Sequence, residues 1–304
     1  MRRSVLPDSL SLAMFLAILF LKAAQLCPEM SSDATEKTTV FVSILPQAYF
    51  VERVGGERVD VSVLVGPGYS PATYEPNPTQ MAELSRAKLY FRIGVPFENV
   101  WIERMIKANP DMKVVDTRRG IELLPMKTHH HGEQKDHHHH GKILKDPHIW
   151  TSLRLAKIQV QNICDALIRE DPAHSAYYEN NLRAFHSDVD KLDREVTEVL
   201  RNLKTRQFIA FHPAWGYFAH DYGLEQIPIE VEGKEPGARA LADLIKRAKE
   251  EGIKVVFVQA QFSTRNAETV ARAIGARIVR IDPLAKDYLT NMMKIAEAFA
   301  EGIQ

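Results

Sequence analysis

The chain is short of several features that commonly announce a function. Its 304 residues include only two cysteines, Cys27 and Cys164. Two thiols build neither a disulfide framework nor a cysteine-based zinc site. Cys164 reads as a small apolar residue within a helix, the usual fate of a lone cysteine. Net charge is also missing, because 39 Lys+Arg balance 39 Asp+Glu. That removes a whole-protein electrostatic case for nucleic acid or acidic membrane surfaces. Long apolar runs are absent too: the segment Leu10 to Leu21 has 12 residues, against the roughly 18 needed to span a bilayer. No His-Glu-x-x-His, Gly-x-Ser-x-Gly or Gly-Lys-Ser/Thr pattern occurs, so metalloprotease, hydrolase-elbow and nucleotide chemistry have no motif behind them. What is abundant is histidine. There are 12, and seven of them lie between His129 and His140.

With 45% hydrophobic and 26% charged residues the chain is globular, and its length suggests about two domains. Arg2 and Arg3, the apolar run and the small residues Ala23 and Ala24 describe a secretory signal peptide over residues 1–27. Lys22 argues against a membrane anchor, and Leu26, where a small residue is expected, argues against lipidation of Cys27. The mature protein is therefore expected to be soluble and extracytoplasmic.

Strand and helix patterns then alternate, as in parallel α/β proteins with helices on both sheet faces. Val40 to Leu45, Val59 to Val65, Leu89 to Ile93 and Lys113 to Asp116 read as strands of an N-terminal lobe over 38–171. Phe208 to Phe211, Glu225 to Val231, Val255 to Val258 and Arg277 to Ile281 read as strands of a C-terminal lobe over 204–304. Between them, Tyr178, Leu182, Phe185, Val189, Leu192, Val196, Val199 and Leu203 recur at alternating spacings of four and three. Such a stripe predicts one amphipathic helix, opened by an Asp171 cap and Pro172 at its first position. Over 172–203 it would run about 48 Å at 1.5 Å per residue and join the lobes. A coiled-coil dimer is the competing reading of the heptad.

Open parallel sheets bind ligands beyond the carboxyl ends of their strands. His212 and Asp282 each directly follow a predicted strand, and His148 follows the long loop after Asp116, within Asp146-Pro-His-Ile-Trp150. Two histidines and a carboxylate facing one cleft suit Zn²⁺, with Mn²⁺ less favoured because it prefers more oxygen ligands. The segment 128–141 carries His129, His130, His131, His137, His138, His139 and His140, and reads as a flexible loop that collects metal through clustered imidazoles. His174, His186 and His220 are expected at the surface, and Trp150, Trp215 and Tyr217 in packing around the cleft. An orienting partner is expected for each ligating imidazole, but no residue is singled out by the sequence.

From about Val40 onward the sequence resembles the zinc- and manganese-binding solute receptors of ABC importers, the ZnuA/TroA-like family. The resemblance rests on the Pro-rich Tyr-Glu-Pro loop at 66–78, the histidine-rich insertion, Asp146-Pro-His-Ile-Trp150, Phe211-His-Pro-Ala-Trp-Gly-Tyr-Phe218, Gln261-Phe-Ser263 and Ile281-Asp-Pro-Leu284, in that order. It implies two α/β lobes joined by one rigid helix, metal ligands at His148, His212 and Asp282, and delivery of Zn²⁺ to a membrane permease. A histidine at position 212 favours zinc, since manganese members tend to carry glutamate there. One position departs. Where the family has Pro-His-Thr-Tyr with a ligating histidine, this chain reads Pro71-Ala72-Thr73-Tyr74. Water, Glu75 or a histidine of the 129–140 loop would have to replace it. A monomer is expected, with a metallochaperone as a further partner and no nucleic acid. Three ligands plus an open position also describe a catalytic zinc site, so a secreted zinc hydrolase with Glu75 as general base is the rival from another class. A surface metal-buffering or adhesion protein is the third.

Overall fold

Each of the two sheets is assembled in the same order from short apolar strands. In the computed structural model the described residues are 37–126, 144–230, 234, 236–262 and 265–303. The expected signal segment 1–27, Cys27 and the seven clustered histidines lie outside them. The first sheet comprises β1 (Thr38–Ile44), β2 (Val59–Val65), β3 (Leu89–Arg92) and β4 (Lys113–Asp116), in the order β2-β1-β3-β4. The second comprises β5 (Gln207–Ala210), β6 (Glu225–Pro228), β7 (Val255–Val258) and β8 (Arg277–Arg280), in the order β6-β5-β7-β8. All pairings are parallel. The helices are α1 (Leu45–Gly55), α2 (Pro78–Leu84), α3 (Pro96–Ala108), α4 (Leu153–Glu170), α5 (Ser175–Val199), α6 (Gly216–Tyr222), α7 (Ala238–Glu250), α8 (Arg265–Ile274) and α9 (Tyr288–Gly302). Among the described residues no helix is long and apolar enough to cross a membrane.

The order of each sheet reverses beside its first strand, between β1 and β3 and again between β5 and β7. Those switch points are where a doubly wound sheet opens a crevice at its carboxyl edge. The loop at Gly94 follows β3, His212 follows β5 and Gln259 follows β7, so the chain's polar turns gather at both crevices.

The amphipathic helix is present but shorter than the sequence suggests. Pro172–His174 forms a 3-10 turn, and α5 starts at Ser175 and runs 25 residues, about 37 Å. Asp171 does not cap it. Its carboxylate accepts from the Tyr178 hydroxyl at 2.7 Å and pairs with His174 Nδ1, so side chains take the oxygens that a cap would offer to backbone N–H groups. His174 and His186 are accordingly partly buried rather than solvent-facing, with His186 Nε2 lying 3.3 Å from the Lys157 carbonyl.

The stripe is as read as far as Val196: Tyr178, Leu182, Phe185, Val189, Leu192 and Val196 are all buried, whereas Val199 is half-buried at the helix end and Leu203 lies beyond it. They pack against α1, α4 and α9, helices of both halves of the chain, which uses up the face a coiled-coil partner would need. Cys164 on α4 is fully buried, and burial pushes its thiol up to about 11.

Alternation along the second sheet's strands divides the core. Phe208, Ala210 and Phe257 point into a hydrophobic cluster continuous with Val40, Phe91, Phe185 and Phe299, so both sheets share one interior. Ile209, Val256 and Val258 point the other way, into a smaller cluster under α7 and α8. Polar straps reinforce the shared interior. Trp150 Nε1 donates to the Pro283 carbonyl at 2.8 Å, and Lys286 pairs with Glu52 at 2.7 Å.

A buried carboxylate fixes the turn after β3. Glu98 accepts from Ser43 Oγ at 2.6 Å, Ile93 N at 2.8 Å, Gly94 N at 2.7 Å and Arg92 Nε at 3.3 Å. Gly94 has φ +88, a backbone conformation that favours glycine, and a Cβ there would displace the Arg118 guanidinium. Desolvation raises the Glu98 pKa despite its donors. The folded protein therefore holds this proton to higher pH than the unfolded chain, and the Glu98 contribution to stability falls as pH rises through that interval. Glu98→Gln should flatten this part of a urea-unfolding profile measured from acid to neutral pH. Glu98→Ala, which strands four donors, should lower stability by about 2–4 kcal/mol at pH 7.

Candidate metal site

Two imidazoles from distant parts of the chain meet at the carboxyl edges of the sheets. His148 Nε2 lies 3.2 Å from His212 Nε2. His148 stands at the entry to a short 3-10 turn before α4, and His212 comes two residues after β5.

A carboxylate sits behind each ring. His148 Nδ1 is 2.7 Å from Asp146 Oδ1, which also accepts the His148 backbone N–H at 2.9 Å. His212 Nδ1 is 2.6 Å from Glu230 Oε2. Asp146 and Glu230 are 3% and 6% exposed, so neither is a loose surface partner. An ionised carboxylate only accepts, so each Nδ1 carries a proton, and in the neutral form of each ring Nε2 then presents a lone pair. Two lone pairs facing each other at this distance are complementary to a cation between them. Burial, the largest influence, lowers the His212 pKa against the pull of Glu230, which favours the neutral ring a metal needs. A tetrahedral ion about 2.0–2.1 Å from each nitrogen would hold them about 3.3 Å apart, close to the 3.2 Å present.

The remaining contacts fix these rings. Phe262 stacks on His212 with centroids 4.6 Å apart and planes 21° apart, and Trp150 lies against His148 at 5.1 Å. Gln259 grips the His212 backbone from both sides, accepting its N–H at 3.3 Å and donating to its carbonyl at 2.9 Å. Tyr217 supports the other half: its hydroxyl donates to the Asp146 carbonyl at 2.8 Å and accepts from Leu124 N at 3.0 Å. Gly216 comes so close that a Cβ there would stand 2.6 Å from Asp146 Oδ2.

The imidazole pair opens on a cavity of about 470 Å³ walled from both halves of the chain, by Ala72, Thr73, Gly94 and Asn99 on one side and Pro213, Gln261, Phe262 and Leu284 on the other. Ala72 thus stands in the wall and offers no donor atom. Trp150 also walls it, while Trp215 is fully buried in the shared core, away from the expected cleft packing. Glu75 is exposed and is not part of the wall. Asp282 is partly buried and also outside the wall. Its Oδ1 accepts from Gln261 Nε2 and Leu284 N, both at 2.9 Å. Among the described residues no group of three or more His, Cys, Asp or Glu is assembled as a metal-holding set; the structure brings together His148 and His212, and leaves Asp282 tied to Gln261. His220 is largely exposed, as its position on α6 suggests.

Met126 and Leu144, the residues flanking segment 127–143, both wall the cavity, and Met126 N donates to the Leu144 carbonyl at 2.8 Å.

Asp146 and Glu230 are the residues that sequence reasoning left unnamed. Asp146 was legible locally: an Asp two residues before a histidine, across a proline, forms the side-chain-to-backbone turn seen here. Glu230 needs the register. Ala210 pairs with Pro228, so two residues further along adjacent strands His212 and Glu230 are neighbours.

The description "Zinc-uptake complex component A periplasmic" belongs to the family, ZnuA, that matches residues 40–302. The high-affinity zinc uptake system protein ZnuA of Bacillus subtilis is 30% identical over 246 residues, covering 80% of this chain and 77% of that protein. A ZnuA crystal structure superposes with a TM-score of 0.82 at 43% identity, covering 88% of this chain and all of the other. A ZnuA variant lacking residues 138–173, with zinc bound, superposes equally well at 43% identity, covering 88% of this chain and 99% of that one. The chain belongs to the ZnuA family of zinc-uptake receptors.

Proposed function

We propose that this chain captures Zn²⁺ between its two lobes and hands it to the permease of an ABC importer. One observation carries the reading: the two Nε2 atoms 3.2 Å apart, each ring oriented by a buried carboxylate behind it. His148 and His212 are the first two ligands, Asp282 the third through its second oxygen, and water fills the position that Ala72 leaves without a donor. Histidines of the 129–140 segment serve as auxiliary ligands that raise the local metal concentration. Nitrogen-rich coordination favours Zn²⁺ over Mn²⁺.

Residues 1–27 export the chain, Cys27 is not lipidated, the protein works as a monomer outside the cytoplasm, and a metallochaperone can share its cargo. Lobe boundaries at 38–171 and 204–304 about a 172–203 connector describe it, with α5 forming the helical part of that connector. Binding is not coupled to turnover. Glu75, the candidate base of a hydrolase, is exposed and absent from the cavity wall, which counts against the catalytic alternative.

Chelator competition on the purified protein tests the site. His148→Ala and His212→Ala should each weaken zinc more than loss of an orienting partner does, and unchanged binding in both contradicts the proposal. Asp146→Asn and Glu230→Gln should weaken it by roughly 10–100-fold, the range for such partners. Gly216→Ala should follow Asp146→Asn in direction, because its methyl displaces the same carboxylate. Ala72→His should tighten binding; an unchanged affinity would place the ion away from this wall.

A further inference from the structure

The cavity beside the imidazole pair is far larger than a metal ion needs. Its volume of about 470 Å³ equals that of roughly fifteen water molecules at about 30 Å³ each. Most of the wall is apolar, with Val95, Met126, Leu144, Trp150, Phe262 and Leu284 among its residues. Apolar groups also flank the metal end, where Phe262 stacks on His212 and Trp150 lies against His148. Among the described residues no acidic side chain lines the cavity. Two of its polar side chains are engaged elsewhere. Gln261 Nε2 donates to Asp282 Oδ1 at 2.9 Å, and Lys145 Nζ donates to the Leu123 carbonyl at 3.2 Å, both acceptors lying outside the wall. The two imidazoles are therefore the strongest zinc donors that the wall offers.

A buried water typically makes about three hydrogen bonds, and a wall of this composition gives few partners to a cluster of them. A concave, mainly apolar space of this size with a few fixed polar groups has the character of a site for a small organic molecule. We propose that the cavity binds a small carboxylate with an apolar body together with Zn²⁺. The carboxylate takes the coordination position that Ala72 leaves without a protein donor, in place of water, and the body covers the apolar wall. The inference rests on the reading of the imidazole pair as the zinc site. Zn²⁺ accepts carboxylate oxygen alongside imidazole nitrogen, so the ion supplies the attraction for the head group that the wall itself lacks. Uptake of the acid consequently requires the metal, and the cargo is a zinc–carboxylate pair.

Calorimetric titration of 4-methylpentanoate and of acetate into the purified protein, metal-free and with one equivalent of Zn²⁺, tests this. 4-Methylpentanoate should bind the zinc-loaded protein at least tenfold more tightly than acetate, since each buried methylene contributes about fourfold. Its affinity for the metal-free protein should be at least tenfold weaker. With Co²⁺ in place of Zn²⁺, the visible spectrum should shift on adding the acid, which binding remote from the ion would not produce. Ala72 is exposed, so Ala72→Leu leaves the core untouched; its side chain enters the cavity and should weaken 4-methylpentanoate more than acetate. Equal affinities for the two acids, uptake independent of zinc, an unchanged cobalt spectrum or an unaltered preference in Ala72→Leu would each overturn the proposal. Zinc binding that depends on His148 and His212, with no uptake of 4-methylpentanoate, would sink this inference alone. Zinc binding that survives in both His148→Ala and His212→Ala would remove the underlying site and this inference with it.

Discussion

Two imidazole nitrogens 3.2 Å apart, one before α4 and one after β5, are the contact on which the rest of the molecule depends. Neutral rings with their protons turned outward have no attraction for each other through Nε2, so the fold must hold them there. Asp146 and Glu230 set each ring's tautomer and direction, Gln259 clamps the His212 backbone, and Tyr217 ties the Asp146 backbone to Leu124. Each of these groups is buried or partly buried, so each bond persists against competition from water.

Holding two such rings to within tenths of an ångström requires that the halves of the chain not drift. A single hydrophobic interior runs through both sheets and around α5, and the Trp150 to Pro283 hydrogen bond crosses it. Separating the halves would expose Phe185, Phe208 and Phe299 together, at roughly 3 kcal/mol for each large aromatic side chain. A receptor built this way binds by offering a preorganised site, in contrast to one that closes by a wide hinge swing, and little of the binding energy goes into reorganisation.

Patterns with a local cause were legible in the sequence. The parallel α/β class followed from alternating strand and helix patterns, and the α5 stripe from Tyr178 to Val196 followed from its spacing. His212 stood out as a histidine just after a strand, and His148 as the histidine of an Asp-Pro-His stretch beyond the long loop. What was not legible depended on pairings between distant segments. Glu230 becomes a partner of His212 only through the register of β5 with β6, and Asp282 is engaged by Gln261, 21 residues away in sequence. The start of α5 was misplaced because Asp171 satisfies Tyr178 and His174 in place of the helix end, a choice that propensity alone does not reveal.

The central claim is that zinc sits between His148 and His212. A zinc-edge X-ray absorption spectrum, taken with one equivalent of metal on protein lacking residues 127–143, addresses it most directly. The account predicts a first shell of nitrogen and oxygen alone at about 2.0–2.1 Å, with the outer-shell scattering of two imidazoles. A shell with no imidazole scattering would contradict it.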